Sequence, residues 1–239
     1  EILSGLVGSE MCIRDSPRFD WGRTEPHITR GSNHLRYVGP DLTLRLNTNA
    51  PLSHVLAQTA FVLPGELNFL LGSDETLQTG IAETARDFEQ KTTDYWRQWT
   101  RRLALPLEWQ DAVIRAAITL KLSLYEDTGA IIAAMTTSIP EAPGSSRNWD
   151  YRYCWLRDAF FVVRALNSLS EVATMEDYLR WMSNVVIDSQ GGHIQPLFGI
   201  GLEKSLPESF VDNLPGYRGM GPVRVGNQAQ EHFQHDVYG

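Results

Sequence analysis

The sequence has little of what identifies several common protein classes. Only two of its 239 residues are cysteine, Cys12 and Cys154, which is too few for a disulfide framework. It contains no run of about 18 apolar residues, which a membrane-spanning helix requires. The formal net charge is −8, and no basic stripe lies among the aromatic residues. These absences argue against a disulfide-rich secreted domain, an integral membrane protein and a nucleic-acid-binding module.

Patterns for metal and cofactor sites are also missing. His232 and His235 lie three residues apart without a third ligand nearby, so we expect them at the surface or at a pocket rim. The glycine-rich stretch 216–226 does not follow a predicted strand, as a nucleotide-binding loop does. Cys154 has no histidine near it in sequence and is predicted to be a buried thiol rather than a nucleophile. The sequence therefore predicts no metal and no cofactor.

The two ends of the sequence differ from the rest. Residues 1–16 lack both the basic start and the apolar segment of a secretory signal, and we expect them to be a non-native tail. Without a signal, the predicted location is cytoplasmic. The last residues, up to Gly239, stop inside a predicted helix, so we expect the chain to be a fragment.

The hydrophobic pattern changes along the chain from strands to helices. Period-two alternation predicts strands, separated by turn residues, over 42–48, 53–63 and 66–71. Helical spacing then predicts helices over 79–103, 108–125, 159–166, 174–189 and 227–238, the last with Asn227 as its N-cap. The sequence thus predicts a β region followed by an α region.

One stretch, 148–158, carries an unusual amount of hydrogen-bonding capacity beside its apolar surface. Six of its eleven residues are aromatics or arginines with polar tips: Trp149, Tyr151, Arg152, Tyr153, Trp155 and Arg157. The stretch follows a loop signal at 143–146 and leads into the apolar segment 159–166, which is predicted to be a helix buried on most sides. Arg157 and Asp158 are therefore predicted to lie at a helix N-terminus.

Residue chemistry leaves two interpretations of these charges open. Asp158 can complement the helix dipole, with Arg157 as its ion-pair partner. Alternatively, the stretch forms a sugar-binding site, where aromatic rings cover the apolar face of a pyranose and charged groups bind its hydroxyls.

Residues 148–159, Asn-Trp-Asp-Tyr-Arg-Tyr-Cys-Trp-Leu-Arg-Asp-Ala, resemble the signature of bacterial glycoside hydrolase family 15, the glucoamylase and trehalase-like enzymes. Further segments fit the same family in the same order, at 96–99, 130–140, 214–219 and 222–227. The similarity extends from Pro17 to the last residue. The resemblance implies the end of an N-terminal β-sandwich at 17–80, a connecting helix at 81–106 and, at 107–239, the first helices of a truncated (α/α)6 barrel.

The resemblance also implies an activity. We expect an inverting, exo-acting hydrolase that releases glucose from α-1,4-glucans, as glucoamylases do. The alternatives are an α,α-trehalase, or a non-catalytic relative such as the regulatory subunits of phosphorylase kinase. The family's general acid and base are both glutamates and are expected downstream of Gly239, so Glu203 and Glu208 are not expected to be the acid. The chain alone is therefore expected to be inactive.

Five residues are implied to bind the α-glucoside substrate. In the family, Arg157 and Asp158 would hold the outer hydroxyls of the terminal glucose. Trp155 would cover the sugar, and Tyr151 would lie near the anomeric carbon. Arg224, in the loop 222–226, is a further substrate-binding candidate. No nucleic-acid or membrane partner is expected, and the sequence does not indicate an oligomeric state.

Overall fold

The computed structural model describes residues 10–11, 16–63, 65–189 and 192–238. Cys12 and most of the predicted tail 1–16 lie outside these residues. The chain divides into two compact units, Glu1–Arg97 and Gln98–Gly239. An antiparallel sheet in the first unit precedes the helices of the second, as the hydrophobic pattern predicts.

The first unit is built mostly from strands. Its elements are β1 (Glu10–Met11), β2 (His27–Arg30), β3 (His34–Val38), β4 (Thr43–Thr48), α1 (Leu52–Ala57), β5 (Phe61–Val62), β6 (Phe69–Ser73) and most of α2 (Ile81–Arg101). The main sheet is antiparallel in the order β2-β3-β4-β6, and β1 pairs separately with β5. The predicted strand 42–48 is confirmed as β4, whereas the predicted strand 66–71 starts and ends later, as β6.

The two faces of this sheet differ in polarity. Leu35 and Leu46 are paired across β3 and β4 and are buried, whereas Arg36 and Arg45 pair on the other face. Two like charges opposite each other are unfavourable. Asp74 compensates, since the Arg36 guanidinium donates from Nε to both carboxylate oxygens at 2.9 Å. This hydrogen bond lowers the pKa of Asp74.

The strand predicted over 53–63 is wrong. Residues 53–57 of that segment belong to the helix α1, and only Phe61–Val62 forms a strand. Pro51, with φ −64°, leads into the helix. Leu52 and Val55 are three residues apart, on one helical face packed against the core of the sheet. The hydrophobic residues that were interpreted as period-two alternation therefore include a pair with helical spacing.

The second unit combines helices with two-residue strands. Its elements are the end of α2, α3 (Gln110–Lys121), β7 (Leu124–Tyr125), β8 (Ala130–Ile131), β9 (Cys154–Trp155), α4 (Leu156–Ser168), α5 (Ala173–Ile187), β10 (Leu197–Phe198), β11 (Ser209–Phe210) and β12 (Arg224–Val225), followed by 3₁₀ helices at Gln228–Glu231 and His235–Val237. The helices predicted over 79–103, 108–125, 159–166 and 174–189 are confirmed as α2 to α5, with shifted ends. Of the strands in the pairs β7–β8, β9–β10 and β11–β12, only β8 was predicted, as the start of the apolar, strand-like segment 130–135.

An aromatic core holds α4 and α5 against these short strands. Trp181 of α5 is 1% exposed, stacks on Tyr178 at 5.8 Å and meets Phe198 of β10 edge-on at 5.9 Å. Cys154 belongs to the same cluster and is fully buried. The helices and the strand that carries Trp155 are thus packed into one core.

The helix predicted over 227–238 is wrong, because this segment forms two short 3₁₀ helices. Asn227 is nevertheless an N-cap, since its side chain accepts a hydrogen bond from Ala229 N at 3.0 Å. Between the two turns, Phe233 stacks with His193 at 5.9 Å and with Tyr238 at 5.5 Å. These ring contacts draw the chain away from a continuous helix.

α4 presents apolar side chains at the surface. Phe160 and Phe161 of α4 are 53% and 57% exposed, so the helix is not buried on most sides within the described part of the chain. None of the helices in that part combines the length and apolar character needed to cross a membrane.

Candidate functional site

The residues of the motif open onto a cavity of about 750 Å³ in the second unit. This volume lies within the range of small-molecule sites, about 300–1,000 Å³. Aromatic and charged side chains dominate one part of its lining, namely Glu141, Arg147, Trp149, Tyr151, Trp155, Arg157, Glu208 and Arg224. His232 also lines the cavity, consistent with the rim position expected for it. Among the described residues, no group of three His, Cys, Asp or Glu side chains is placed to bind a metal ion.

A strand that runs directly into a helix positions the end of the motif. Trp155 pairs with Leu197 of β10 and is also the extended N-cap of α4, with φ −83° and ψ 126°. The next residue, Leu156, donates its backbone N–H to the carbonyl of Pro196 at 3.0 Å. Arg157 and Asp158 therefore occupy the first turn of α4, as predicted.

Four of the five predicted site residues line the cavity, and the fifth lies beside it. Tyr151, Trp155, Arg157 and Arg224 share the lining, whereas Asp158 does not belong to it within the described part of the chain. Asp158 is nevertheless close, since its carboxylate contributes to the raised pKa of Tyr151. Burial is the largest cause of that pKa shift, followed by the carboxylates of Glu141 and Asp158. The Tyr151 phenol therefore stays protonated, as a hydrogen-bond donor, at neutral pH.

Three buried polar atoms in the stretch 148–158 make no hydrogen bond with the described residues, and the third is Asn148 Nδ2, in addition to the two at the helix start. Asp158 Oδ2 and Trp155 Nε1 are inaccessible and make no hydrogen bond with the described residues. Asp158 Oδ2 lies 3.7 Å from Arg157 Nε, and Arg157 Nη1 is bound to Asp236 of the second 3₁₀ helix. Buried polar groups normally have partners. At the part of the chain predicted to hold a sugar, Trp155 Nε1 is thus a donor without a hydrogen bond, and Asp158 Oδ2 has an ion pair but no hydrogen bond.

Arg224 is fixed more firmly than the other predicted residues. Its guanidinium lies 5.0 Å from the ring centres of both Trp149 and Phe210. Its Nη1 is bound to Glu208, and its Nε donates to Asn148 Oδ1 at 3.2 Å. Stacking on two rings and two polar contacts leave this side chain little freedom.

A second cluster, which sequence reasoning missed, holds Trp149 in place. The Trp149 indole N–H donates to Glu141 Oε1 at 2.8 Å, and Arg147 Nε donates to Glu141 Oε2 at 2.7 Å. These bonds, from Arg147 first and Trp149 second, lower the pKa of Glu141. Trp149 belongs to the motif and was a visible candidate. No local pattern indicated Glu141, because it lies seven residues before the motif and only the fold of the loop brings it to Trp149.

Asp150 connects the motif to the loop that carries Arg224. It is 1% exposed and accepts hydrogen bonds from Arg152 Nε at 2.9 Å and from Gly226 N at 3.2 Å. Its backbone carbonyl accepts a further bond from Asn227 Nδ2 at 3.1 Å. A buried carboxylate with this many donors has a structural role, which places Trp149 and Arg224 side by side.

Cys154 is excluded as a nucleophile. Burial raises the pKa of its thiol to about 12, so the reactive thiolate is absent at neutral pH. The predicted buried thiol is confirmed.

Comparison with known proteins identifies the family that these residues belong to. The family model for glycosyl hydrolases family 15 matches residues 108–239. The trehalase of Mycolicibacterium smegmatis is 40% identical over 257 aligned residues, which cover 99% of this chain. The chain belongs to glycoside hydrolase family 15. The resemblance found in the motif is therefore confirmed.

Other proteins named trehalase align with this chain in the same way. The trehalase of Thermoplasma volcanium is 39% identical over 236 residues, 96% of the chain. Trehalase 1 of Sulfolobus acidocaldarius is 31% identical over 232 residues, 93% of the chain. The family 15 chain spans only 37% of the length of the first two trehalases and 39% of the third. No solved structure matches it significantly.

Proposed function

We propose that the whole protein containing this family 15 chain hydrolyses α,α-trehalose to glucose. The observation that carries the proposal is that relatives named trehalase, from three different genera, align with at least 93% of the chain. These names favour the alternative drawn from the sequence over its first expectation, a glucoamylase. Tyr151, Trp155 and Asp158 are compatible with either substrate, trehalose or an α-1,4-glucan.

The chain supplies residues that bind one glucose ring. Trp155 offers an aromatic face for the C–H side of the pyranose, and its unpaired Nε1 offers a donor. Asp158, whose side chain is 41% exposed, accepts from a hydroxyl through its carboxylate, and Arg157 donates to a neighbouring one. Tyr151 stays protonated and donates toward the anomeric end. Each role uses a group that either has an atom without a hydrogen bond or is turned toward the cavity.

Neither glutamate on the cavity wall suits proton transfer to the leaving group. A general acid needs a carboxyl that keeps its proton near neutral pH. The pKa of Glu141 is lowered by Arg147 and Trp149, so this group is ionised. Glu208 is bound to Arg224. As the family resemblance implies, we expect both catalytic carboxylates downstream of Gly239, and we expect this chain alone to be inactive.

The architecture proposed for the whole protein follows from the family. Residues 17–80 form the end of a β-sandwich, and 81–106 the connection to the catalytic domain. Residues 107–239 contribute the first helices of an (α/α)6 barrel. The exposed Phe160 and Phe161 support this proposal, because a helix inside a barrel needs apolar side chains on more than one face.

The test measures glucose release by the whole protein from trehalose and from maltose, with heat-inactivated protein as the control. We expect a higher kcat/KM for trehalose. Nuclear magnetic resonance should first show α- and β-glucose in equal amounts, because inversion makes the attacked ring β while the leaving ring keeps its α configuration. A preference for maltose, or no release from trehalose, would refute the proposal. Hydrolysis by residues 1–239 alone would refute the downstream position of the catalytic carboxylates.

A further inference from the structure

The hairpin of β11 and β12 places a charged pair on the wall of the cavity. Glu208 immediately precedes β11, and Arg224 lies in β12. Their side chains are 18% and 15% exposed, and both line the cavity. We propose that Glu208 and Arg224 together bind hydroxyls of the second glucose of a disaccharide, which makes Glu208 a specificity-determining residue.

One donor group of Arg224 and one acceptor atom of Glu208 are not engaged by other described residues. Arg224 uses Nη1 for Glu208 and Nε for Asn148. Its Nη2, and Oε2 of Glu208, make no hydrogen bond or ion pair with other described residues. Because both side chains line the cavity, these two groups remain for a ligand.

The charges of the pair select the chemical class of that ligand. An anion would be attracted by Arg224 but repelled by the adjacent Glu208, and a cation would meet the reverse. A neutral hydroxyl both donates and accepts hydrogen bonds. Adjacent hydroxyls of a sugar ring therefore match a fixed guanidinium beside a fixed carboxylate, and both bonds are charge-assisted.

The pair is held rigid before any ligand arrives. Trp149 and Phe210 flank the guanidinium, each with its ring centre 5.0 Å away. The backbone of Arg224 is also fixed, since its N–H donates to Ser138 Oγ at 2.7 Å and its carbonyl accepts from Thr137 Oγ1 at 2.6 Å. Little conformational entropy is lost when such a pair binds a hydroxyl, so its preorganisation favours binding.

The location of the pair points to the second ring rather than the first. The groups proposed for the first glucose come from Tyr151 before β9, from β9 itself and from the first turn of α4, whereas this pair lies at the β11–β12 hairpin. A cavity of about 750 Å³ has room for a ligand larger than one pyranose. The inference rests on the proposed function: the two rings of trehalose carry the same hydroxyls, so a second donor–acceptor pair suits its second ring.

The test compares sugar binding by variants of the whole protein. Stopped-flow quenching of tryptophan fluorescence reports binding before turnover, because Trp149 and Trp155 line the cavity. The ligands are trehalose and methyl α-D-glucopyranoside, which lacks the second ring. Glu208→Gln should weaken trehalose binding roughly 10- to 100-fold, as loss of a hydrogen bond to a charged group does. Binding of the methyl glucoside should stay within about threefold of the wild-type value.

Two further variants make the result decisive. Glu203→Gln is the matched control, since Glu203 accepts from Gly201 N at 3.0 Å and does not belong to the cavity lining within the described chain; it should leave both affinities unchanged. Glu208→Asp keeps the charge on a shorter side chain and should give a smaller loss for trehalose. Circular dichroism checks that each variant is folded.

Several outcomes would overturn the inference. They are an equal loss for both sugars, no loss for trehalose, no trehalose binding by the wild-type protein, and unfolding of both Glu208 variants, which would make the residue structural. The proposed function fails separately. Trehalose binding that depends on Glu208 without glucose release would refute trehalose hydrolysis while leaving the inference standing.

Discussion

Replacing Asp158 with Asn in the whole protein separates the two interpretations that the sequence left open. The substitution preserves the size of the side chain and removes its charge. If Asp158 holds a glucose hydroxyl, the lost charge-assisted bond is worth roughly 1.5–3 kcal/mol in the transition state. We therefore expect kcat/KM for trehalose to fall on the order of 10- to 150-fold.

The structure also sets the expected effect on stability. Asp158 lies in the first turn of α4, where an acidic group gains roughly 0.3–1 kcal/mol from the helix dipole. Its Oδ2 makes no hydrogen bond among the described residues, and its ion pair with Arg157 joins two side chains that are 41% and 44% exposed. Such a pair adds little to stability. The melting temperature should therefore change by no more than about 2–4 °C.

Glu176→Gln supplies the control, because Glu176 is the acidic residue in the first turn of α5 and does not line the cavity within the described residues. This variant should lose the dipole contribution and keep full activity. Melting temperature and kcat/KM are measured for both variants. Near-wild-type kcat/KM in Asp158→Asn, combined with a larger drop in melting temperature than in Glu176→Gln, would refute the sugar-binding role and leave the dipole role.

Three further predictions concern the chain itself. The Cys154 thiol, whose pKa is about 12, should resist alkylation at pH 8 in the native protein and react after denaturation; prompt native labelling would contradict its burial. Gly129→Ala should destabilise the fold by at least about 1–2 kcal/mol, because φ is +87° and a Cβ would overlap the backbone of α5. Gly144→Ala, also at positive φ but with open space around it, should lower the free energy of unfolding less, as measured by urea denaturation. Equal losses of stability in the two variants would show that the overlap with α5 is not the cause. The hydrogen bond from Arg147 lowers the folded-state pKa of Glu141. Ionised Glu141 therefore stabilises the fold above pH 4.5, and this stabilisation is lost as the pH falls through the lowered folded-state pKa. Acid titration should accordingly perturb Trp149 fluorescence in the wild-type protein, and the same transition in Glu141→Gln would show that another group causes it.

The sequence predicted the helices better than the strands, for a physical reason. Helices α2 to α5 repeat an apolar face over three or more turns, and the repeat identifies them with only their ends shifted. Strand pairs of two residues, such as β9 with β10, carry no periodicity at all. β9 in addition pairs with a strand more than forty residues away, which a local pattern does not report.

The segments 53–63 and 227–238 show how short patterns mislead. Over a few residues, alternation and helical spacing share positions, so α1 was read as a strand. The second segment has helical spacing and a true N-cap at Asn227. Its outcome was decided by rings packing around Phe233, a tertiary effect that local propensity does not contain.

The site was predicted where its chemistry is contiguous in sequence. Tyr151, Trp155 and Arg157 lie within seven residues and reach the cavity together. Glu141 and Glu208 became visible only in three dimensions, because loops bring them to the motif. The binding roles of the predicted residues remain predictions, and the experiments above test them.

The direct passage from β9 into α4 limits how this segment can change. Trp155 is fixed by its pairing with β10, and helical geometry begins at the next residue. One residue inserted between them would turn every later side chain of α4 by about 100° around the helix axis. Arg157 would then leave the cavity, and Phe160 or its neighbours would rotate toward the core. Substitutions here alter single contacts, but an insertion or deletion would shift the whole helix, so the length of this stretch is constrained more tightly than its composition.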